Sequence, residues 1–305
     1  MSETEQATGY LASEGFVEEL RAELGEVSAS HGRLLIAPGA PKPVAWVANI
    51  WRDPIEIPIV SIGDAAKRLR AIQRNWALYA CSQHRRAALI EARLPKVSAK
   101  PLVFPASAPT APLGSWMLID AGTMLVSARC TSLFPNGEAR FVEDKQAPPS
   151  RAYLKLWEAL TLLGEHPKAG DLCLDLGSSP GGWTWVLAKL GARVISVDKA
   201  PLDPGIAAMP GVEMRRESAF SLDPRALGPI DWLFSDVVCY PARLLRLVER
   251  WLDAGTCRRF VCTLKFQGAT DHETARRFAA IPGSRLLHLH HNKHELTWMS
   301  PGTEL

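Results

Sequence analysis

Short apolar runs alternate with helical patterns along the second half of the chain, and this alternation restricts the fold more than any other feature. Helical patterns over residues 183–190 and 242–252 lie between apolar runs of strand length. Strands that alternate with helices form a mostly parallel sheet covered by helices on both faces. The sequence therefore predicts an α/β, Rossmann-like domain. Its predicted strands are residues 172–176, 193–197, 212–216, 232–235 and 260–264.

Segments rich in proline and small residues indicate how the chain is divided. Residues 146–150 (QAPPS) separate the alternating region from the first half, and residues 101–114 have the composition of a loop. We therefore place a domain boundary at the first of these segments. The chain is predicted to contain one domain over residues 1–147 and a second over residues 148–305.

Two β-hairpins are predicted outside the main strand pattern. Residues 116–133 are typical of a hairpin with its turn at residues 121–122 (Ala-Gly). Near the C-terminus, residues 285–299 indicate two strands joined by a tight turn at residues 292–293 (Asn-Lys). The second hairpin would add an antiparallel edge to the mostly parallel sheet.

The net charge of +3 conceals an uneven distribution of charged residues. Residues 1–29 carry seven acidic residues and one basic residue, whereas residues 67–100 carry nine basic residues and one acidic residue. A basic segment of this kind suits a polyanion such as RNA, because phosphates neutralised by the protein release counterions. The alternative is a solvated helix face. The candidate RNA-binding residues are Lys67, Arg68, Arg70, Arg74, Arg85, Arg86 and Arg93.

Aromatic side chains within this basic segment have two interpretations. Trp76, Tyr79 and His84 could stack on unpaired bases. Equally, residues 76–78 could be the buried stripe of a helix. The sequence leaves both interpretations open.

Several classes of protein are disfavoured by composition. No apolar run approaches the length of about 18 residues that a membrane span needs, and the polar, acidic N-terminus lacks the pattern of a signal peptide. The six cysteines include no CxxC pair, which disfavours a zinc ribbon or a disulfide framework. We therefore expect a cytoplasmic protein without a metal site or a membrane partner.

The strongest local motif is the loop after the first predicted strand of the second domain. In LCLDLGSSPGGWTWVL, glycines let a ligand approach the backbone closely, and the following helix offers free N–H groups to a carboxylate. Asp198 ends the next strand, where an acid can accept hydrogen bonds from ribose hydroxyls. The same geometry serves NAD, but the spacing D-x-G-x-x-P-G-G is typical of S-adenosylmethionine sites. The predicted contacts in this loop are Asp175, Gly177, Ser178, Ser179, Pro180, Gly181, Gly182 and Trp183.

Four further residues form a candidate catalytic set. Lys155 precedes the first predicted strand of the second domain. Asp236 and Lys265 lie at the ends of the fourth and fifth predicted strands, and Glu295 begins the last strand, in the C-terminal hairpin. Each alone is an ordinary surface charge. Together, in this chain order, they resemble the Lys-Asp-Lys-Glu tetrad of the FtsJ/RrmJ-type ribose 2′-O-methyltransferases. The resemblance implies a class I methyltransferase fold and S-adenosylmethionine as cofactor.

Longer runs from residue 149 to about 299 are similar to the RlmM-type branch of this family. The resemblance implies methylation of a cytidine ribose in large-subunit ribosomal RNA, with residues 1–147 as a diverged THUMP-like, RNA-binding domain. It also places Ser218, Ala219, Phe220 and Asp236 beside the cofactor. Ser218 stands where the family usually has an acid, and Ala152 stands where it has a serine. The matching runs are PSRAYLKLWEA, LDLGSSPGGWTW, SVD, SDVVCYPARLLRLVERWL, TLK and HLHHNKHELT.

The chemistry of the tetrad follows from the weakness of a ribose hydroxyl as a nucleophile. A lysine amine accepts the hydroxyl proton only if its pKa falls from about 10.4 towards neutrality, and a second lysine together with partial burial acts in that direction. We expect Lys265 to be the base, oriented by Asp236, and Glu295 to hold Lys155.

Two other functions stay open at this point. Cys239 and Cys262 occupy positions suited to an RNA 5-methylcytosine methyltransferase, in which a thiolate attacks the pyrimidine ring. The proline that normally precedes the first cysteine is absent, however, and the lysines would have no role. A non-catalytic RNA-binding module is the second alternative, against which the complete tetrad argues.

Overall fold

A computed structural model describes residues 6–300 of the chain, so the first residues of the acidic N-terminal segment lie outside the described part. The chain divides into two compact units. The first runs to Leu102 and includes Ala108–Arg140, and the second consists of Val103–Ser107 and the chain from Phe141 onward. The second unit thus begins somewhat before residue 148. No helix within residues 6–300 is long and apolar enough to cross a membrane.

The described part of the first unit combines two sheets with three α-helices and one 3-10 helix. The strands are β1 (Ala7–Ala12), β2 (Ala29–His31), β3 (Leu34–Pro38), β4 (Val47–Arg52), β5 (Ile55–Pro58), β6 (Trp76–Leu78), β7 (Gly114–Leu118), β8 (Thr123–Ser127) and β9 (Arg129–Cys130). The helices are α1 (Val17–Leu24), α2 (Ile62–Ile72), α3 (His84–Glu91) and a short 3-10 helix over Pro135–Gly137. Five strands form an antiparallel sheet in the order β2-β3-β1-β4-β9, and four strands form the other sheet in the order β5-β8-β7-β6. Only the pair β6–β7 among these described strands is parallel.

The predicted hairpin in this unit is confirmed as β7 and β8. Leu118 pairs with Met124, and the Asp120 carboxylate accepts a hydrogen bond from Gly122 N (2.7 Å) in the turn. The second strand ends at Ser127, because the chain then leaves to pair as β9 with β4. The hairpin is therefore shorter than the predicted 116–133.

The interpretation of residues 76–78 as a helix stripe is wrong. They form the strand β6, and the Trp76 ring packs in the core beneath α2, where its Nε1 donates to Leu69 O (3.0 Å). Tyr79 is also buried, and its hydroxyl accepts a hydrogen bond from Arg33 N (2.6 Å). Neither ring presents a face on which an RNA base could stack.

The second unit is the predicted α/β domain. The strands are β10 (Leu172–Leu176), β11 (Arg193–Val197), β12 (Val212–Arg215), β13 (Ile230–Ser235), β14 (Cys257–Lys265), β15 (Arg285–Leu287) and β16 (Glu295–Ser300). The helices are α4 (Tyr153–Leu163), α5 (Gly182–Lys189), α6 (Pro204–Ala207), α7 (Pro224–Leu227), α8 (Pro241–Ala254) and α9 (His272–Ala279). The sheet has the order β12-β11-β10-β13-β14-β16-β15, in which the first five strands are parallel and the last two add an antiparallel edge. This is the class I methyltransferase arrangement.

The connection between β15 and β16 differs from the predicted tight turn. It spans residues 288–294, because β15 ends at Leu287. The buried Glu158 carboxylate accepts hydrogen bonds from His290 N (2.7 Å) and His291 N (3.0 Å). A side chain thus satisfies backbone amides that a hairpin would have paired, and the longer loop is stable for this reason.

Candidate active site

Four charged side chains converge at the carboxyl end of the parallel strands. Asp236 follows β13, and Lys265 ends the neighbouring strand β14. Glu295 begins β16, where it lies directly opposite Lys265 in the antiparallel register. Lys155 comes from α4, which precedes the sheet. The structure therefore brings together all four residues of the predicted catalytic set.

The two lysines share one carboxylate oxygen. Lys155 Nζ lies 2.8 Å from Asp236 Oδ1 and 3.0 Å from Glu295 Oε1. Lys265 Nζ lies 3.1 Å from the same Asp236 oxygen. Asp236 thus contacts both lysines, whereas the sequence led us to expect it to orient Lys265 alone. Lys155 has two carboxylate partners in this cluster and Lys265 has one.

Burial and the neighbouring carboxylates shift the pKa of Lys155 in opposite directions. Its side chain is 9% exposed, and burial alone lowers its pKa. The carboxylates of Asp236 and Glu295 outweigh burial and raise the pKa of Lys155 above its ordinary value of 10.5. Lys155 is therefore a permanent ammonium group at neutral pH and does not accept a proton there.

Glu158 is a component of the site that the sequence analysis did not single out. It lies one helical turn after Lys155 on α4 and is 2% exposed. Besides the two backbone amides, its Oε2 contacts His291 Nδ1 at 2.7 Å. Lys155 and Glu158 therefore fix the two ends of the segment 290–295 to one helix. Its place in the run YLKLWEA, three residues after a candidate lysine, was the available signal.

The glycine loop between β10 and α5 has the conformation expected of a ligand cradle. Gly177 and Gly181 both have positive φ (78° and 115°), which disfavours other residues. A Cβ at Gly177 would lie 2.5 Å from Val237 Cα, and one at Gly182 would lie 2.6 Å from Ser150 Oγ. The backbone here is packed too closely for side chains.

The other side chains of this loop differ in exposure. Pro180 is exposed, whereas Ser178 is buried and its hydroxyl has no hydrogen-bond partner within residues 6–300. The Ser179 hydroxyl donates to Pro201 O (2.8 Å). Trp183 is buried and its Nε1 donates to Ala152 O (2.9 Å), so its ring supports the loop from the core.

The two acids predicted to lie at the cofactor site have different environments. Asp198 accepts hydrogen bonds from Ser179 N (3.1 Å) and Ala200 N (2.9 Å), one on each carboxylate oxygen. Each oxygen keeps a lone pair for a further donor. Asp175 is fully buried, where burial raises the pKa of its carboxyl to about 7 despite a hydrogen bond from Thr184 Oγ1 (2.6 Å).

Residues 218–220 follow β12 and lie at the end of the next parallel strand. Ser218 Oγ accepts a hydrogen bond from Phe220 N (3.3 Å), and Ala219 is buried. The Arg243 guanidinium lies over the Phe220 ring at 3.8 Å from its centroid. The glycine cradle, the Asp198 carboxylate and this loop fit an adenosine-containing cofactor.

The predicted RNA-binding residues lie on and after two helices of the first unit. Lys67, Arg68 and Arg70 are on α2, and Arg85 and Arg86 are on α3. Most of these side chains are exposed. Arg68 is exposed as well but pairs with Asp64 (3.0 Å), and the exception is Arg86, which is half-buried, with no hydrogen-bond partner for its Nε among the described residues. The exposed members are Lys67, Arg68, Arg70, Arg74, Arg85 and Arg93.

The two cysteines of the alternative mechanism are unsuited to nucleophilic attack. Burial raises the pKa of the Cys239 thiol, although the nearby Arg243 and Lys265 charges partly oppose this. Cys262 is fully buried in the sheet, and burial raises its pKa well above the ordinary value. A neutral, buried thiol is a poor nucleophile.

Comparison with known proteins agrees with this geometry. Residues 148–268 match the FtsJ-like methyltransferase family. A protein of Halorhodospira halophila named ribosomal RNA large subunit methyltransferase M is 38% identical over 172 residues, which cover 54% of this chain and 50% of that protein. A protein of the same name from Aromatoleum aromaticum is 36% identical over 182 residues, which cover 54% of this chain and 49% of the relative. The chain thus spans about half the length of these curated relatives. The match to the FtsJ-like methyltransferase family therefore lies within the second unit.

Proposed function

We propose that this protein is an S-adenosylmethionine-dependent RNA 2′-O-methyltransferase. The observation that carries the proposal is the contact of two lysines with one oxygen of Asp236, at 2.8 Å and 3.1 Å. Lys155 is buried and held on a second side by Glu295. Lys265 is the more exposed of the two, with 20% of its side chain accessible against 9%. This asymmetry supports different roles for the two lysines.

In the proposed reaction, Lys265 is the general base. Its amine takes the proton from the ribose 2′-hydroxyl as the hydroxyl oxygen acts as nucleophile, and Asp236 orients the amine by accepting a hydrogen bond from it. Lys155 stays charged and keeps the Asp236 carboxylate in place. The Glu295 carboxylate neutralises part of the positive charge of Lys155. Bound S-adenosylmethionine would supply an electrophilic methyl group on its sulfonium.

The proposed direct cofactor contacts are part of the predicted set. Backbone N–H groups at Gly181 and Gly182, where α5 begins, would bind the amino-acid carboxylate. The free lone pairs of Asp198 would accept the ribose hydroxyls, and residues 218–220 would contact the adenine. The buried residues Asp175 and Trp183 would support the loop from beneath.

The substrate we propose is large-subunit ribosomal RNA, with a cytidine as the target nucleotide, as the resemblance to the RlmM-type enzymes implies. The names of the relatives support ribosomal RNA. The first unit, which we propose to be a diverged THUMP-like domain, would bind the RNA through its exposed cations. A ribosomal RNA substrate implies a cytoplasmic location.

The position of the methyl group in the product tests this proposal. The full chain is incubated with methyl-labelled S-adenosylmethionine and unmodified large-subunit ribosomal RNA, and the RNA is hydrolysed in alkali. A 2′-O-methyl group blocks cleavage of the adjacent phosphodiester, so we expect the label in an alkali-resistant dinucleotide. Label in a free nucleotide would indicate methylation of the base and would contradict the proposal.

A further inference from the structure

Two large hydrophobic side chains are exposed on the loop that carries Asp236. Val238 is 72% exposed and Tyr240 is 68% exposed, whereas Cys239 between them is buried. Among the exposed large hydrophobic side chains of residues 6–300, Tyr240 is the aromatic one. Single exposed hydrophobic residues are common on protein surfaces. Two on one short loop beside a catalytic cluster suggest a binding surface.

The loop that presents these side chains is held at both ends. Asp236 N donates to the last residue of β10 (3.2 Å), and Val237 packs so closely on Gly177 that a Cβ there would lie 2.5 Å from its Cα. At the other end, Tyr240 is the N-cap residue of α8 and its carbonyl accepts Arg243 N (2.9 Å). A fixed loop loses little conformational entropy when a ligand binds.

The two faces of the loop have different neighbours. On the buried side, the Cys239 thiol lies within the electrostatic influence of Lys265 and Arg243. On the exposed side are the Val238 and Tyr240 side chains. The Arg243 guanidinium, which lies over the Phe220 ring, adds a positive charge in the first turn of α8. An exposed aromatic ring on a loop that leads into a helix with an exposed cation in its first turn suits a nucleotide, which has a flat base and a phosphate.

We propose that Tyr240 stacks on the base of an unpaired nucleotide at the active site, with Val238 packed beside it. This inference rests on the proposed function. A ribose whose 2′-hydroxyl reaches Lys265 carries its base on the adjacent carbon, within reach of the loop that begins at Asp236. A base within a duplex hides its faces in the stack, so only an unpaired base can offer one. The substrate site is therefore single-stranded or opened on binding.

Substitutions of Tyr240 in the full chain test the stacking contact. The measured quantities are kcat and KM for methyl transfer to unmodified large-subunit ribosomal RNA, and KM for S-adenosylmethionine. We expect Tyr240→Ala to raise the KM for RNA by about 5- to 150-fold, which corresponds to the loss of one stacked base. Tyr240→Phe keeps the ring and should stay within about twofold of the wild type, while Tyr240→Leu falls between the two. The KM for S-adenosylmethionine should not change.

A matched pair of valines provides the control. Val238→Ala should raise the KM for RNA, whereas Val103→Ala, which removes a similarly exposed side chain (66%), should not. A DNA oligonucleotide annealed over the modified nucleotide should block methyl transfer. An unchanged KM for RNA in Tyr240→Ala, or undiminished transfer to the annealed duplex, would overturn the inference and leave the proposed function standing. Absence of ribose methylation by the wild-type chain would overturn both.

Discussion

Lys155 Nζ lies 2.8 Å from Asp236 Oδ1 in a buried position, so the aspartate that the sequence assigned to one lysine is an ion-pair partner of the other as well. A buried ammonium with carboxylate partners is a structural element as much as a catalytic one, because removal of either partner leaves an unpaired buried charge. This relationship separates the roles of the two lysines in ways that experiments can distinguish.

Substitution of each lysine should therefore give a different combination of defects. Lys265→Ala should lower the rate of methyl transfer by about 10²–10⁴-fold or more with little change in cofactor affinity or melting temperature, because the missing interaction belongs to the transition state. Lys155→Ala should also lower the rate, but it should destabilise the fold by about 3–5 kcal/mol, because Asp236 and Glu295 lose their buried partner. Kinetics and thermal unfolding measure these effects. An active Lys265→Ala protein would show that the base is another group.

The Asp198 carboxylate should contribute directly to cofactor affinity. Asp198→Ala is expected to weaken binding of S-adenosylmethionine by about 1–3 kcal/mol, as for the removal of hydrogen bonds to a charged group. Isothermal titration calorimetry measures the affinity, with NAD as a ligand that should not bind. Unchanged affinity in this variant would remove Asp198 from the cofactor site.

Glu158 should act as a positioning residue for the loop that precedes Glu295. Both of its oxygens accept hydrogen bonds from N–H donors. Glu158→Gln replaces one acceptor by an amide donor that faces another donor, at a cost of about 1–3 kcal/mol. We expect a lower melting temperature and a lower kcat, measured well below the melting temperature, with KM for the cofactor unchanged.

A second glutamate near the same helix supplies the control for Glu158. Glu165 is 53% exposed and pairs with Arg259 at the surface, so Glu165→Gln should leave kcat and stability near the wild type. His291→Ala should be milder than Glu158→Gln, since the backbone amides keep their acceptor. Wild-type kcat in Glu158→Gln would limit the residue to a structural role.

Asp175 should make stability depend on pH. Its pKa in the folded state is raised from 3.8 to about 7, so the folded protein binds the proton more tightly than the unfolded chain. Stability from this group is complete below about pH 4 and is lost as pH rises to about 7, by about 1.4 kcal/mol per unit. Asp175→Asn removes this titration.

Thermal unfolding of the cofactor-free protein across this range tests the prediction for Asp175. The difference in melting temperature between Asp175→Asn and the wild type should grow in favour of the variant from pH 5 to pH 7 and then level off. A difference that is the same at both pH values would show that Asp175 stays ionised in its buried position.

The exposed cations of α2 should bind RNA through its phosphates. Lys67 and Arg70 lie three residues apart and share a face of the helix. Reversal of both to glutamate should weaken RNA binding across sequences, and it should reduce the salt slope by about 0.7–0.9 for each phosphate that the protein no longer neutralises. The same double reversal at Lys42 and Arg52, exposed cations outside the basic segment, is the control. A wild-type salt slope in the first variant would leave the segment as a solvated face.

Local features of the sequence were sufficient to predict much of the second unit. The strands β10 and β11 have the predicted bounds, because a short apolar run bounded by polar residues specifies a buried strand wherever it packs. By contrast, β14 begins at Cys257, ahead of the predicted start at 260. Its first residues pair with β13 although two of them are arginines, and pairing of this kind depends on the neighbouring strand rather than on local pattern.

Which aromatic side chains are buried in the first unit depends on contacts between distant segments, and the local sequence pattern does not show these contacts. Trp76 and Tyr79 lie in a basic segment and could have stacked on RNA bases. In the structure, Trp76 Nε1 instead donates to a carbonyl of α2, and the Tyr79 hydroxyl accepts a hydrogen bond from a distant backbone amide. The sequence offered equal support for stacking and for burial, because it does not specify which elements cover a given side chain.

The sequence by itself determined the alternation of strands and helices, the glycine loop and the identity and order of four charged residues. These depend on apolar periodicity, backbone sterics and side-chain chemistry, which act over a few neighbouring positions. Only the tertiary structure decided how the charges are shared. Lys155 is 81 residues from Asp236 and 140 from Glu295, and these ion pairs exist because the sheet places the ends of β13 and β16 against one helix. The two carboxylates that this packing places around Lys155 outweigh its burial and keep it an ammonium, and the more exposed Lys265 is the proposed base.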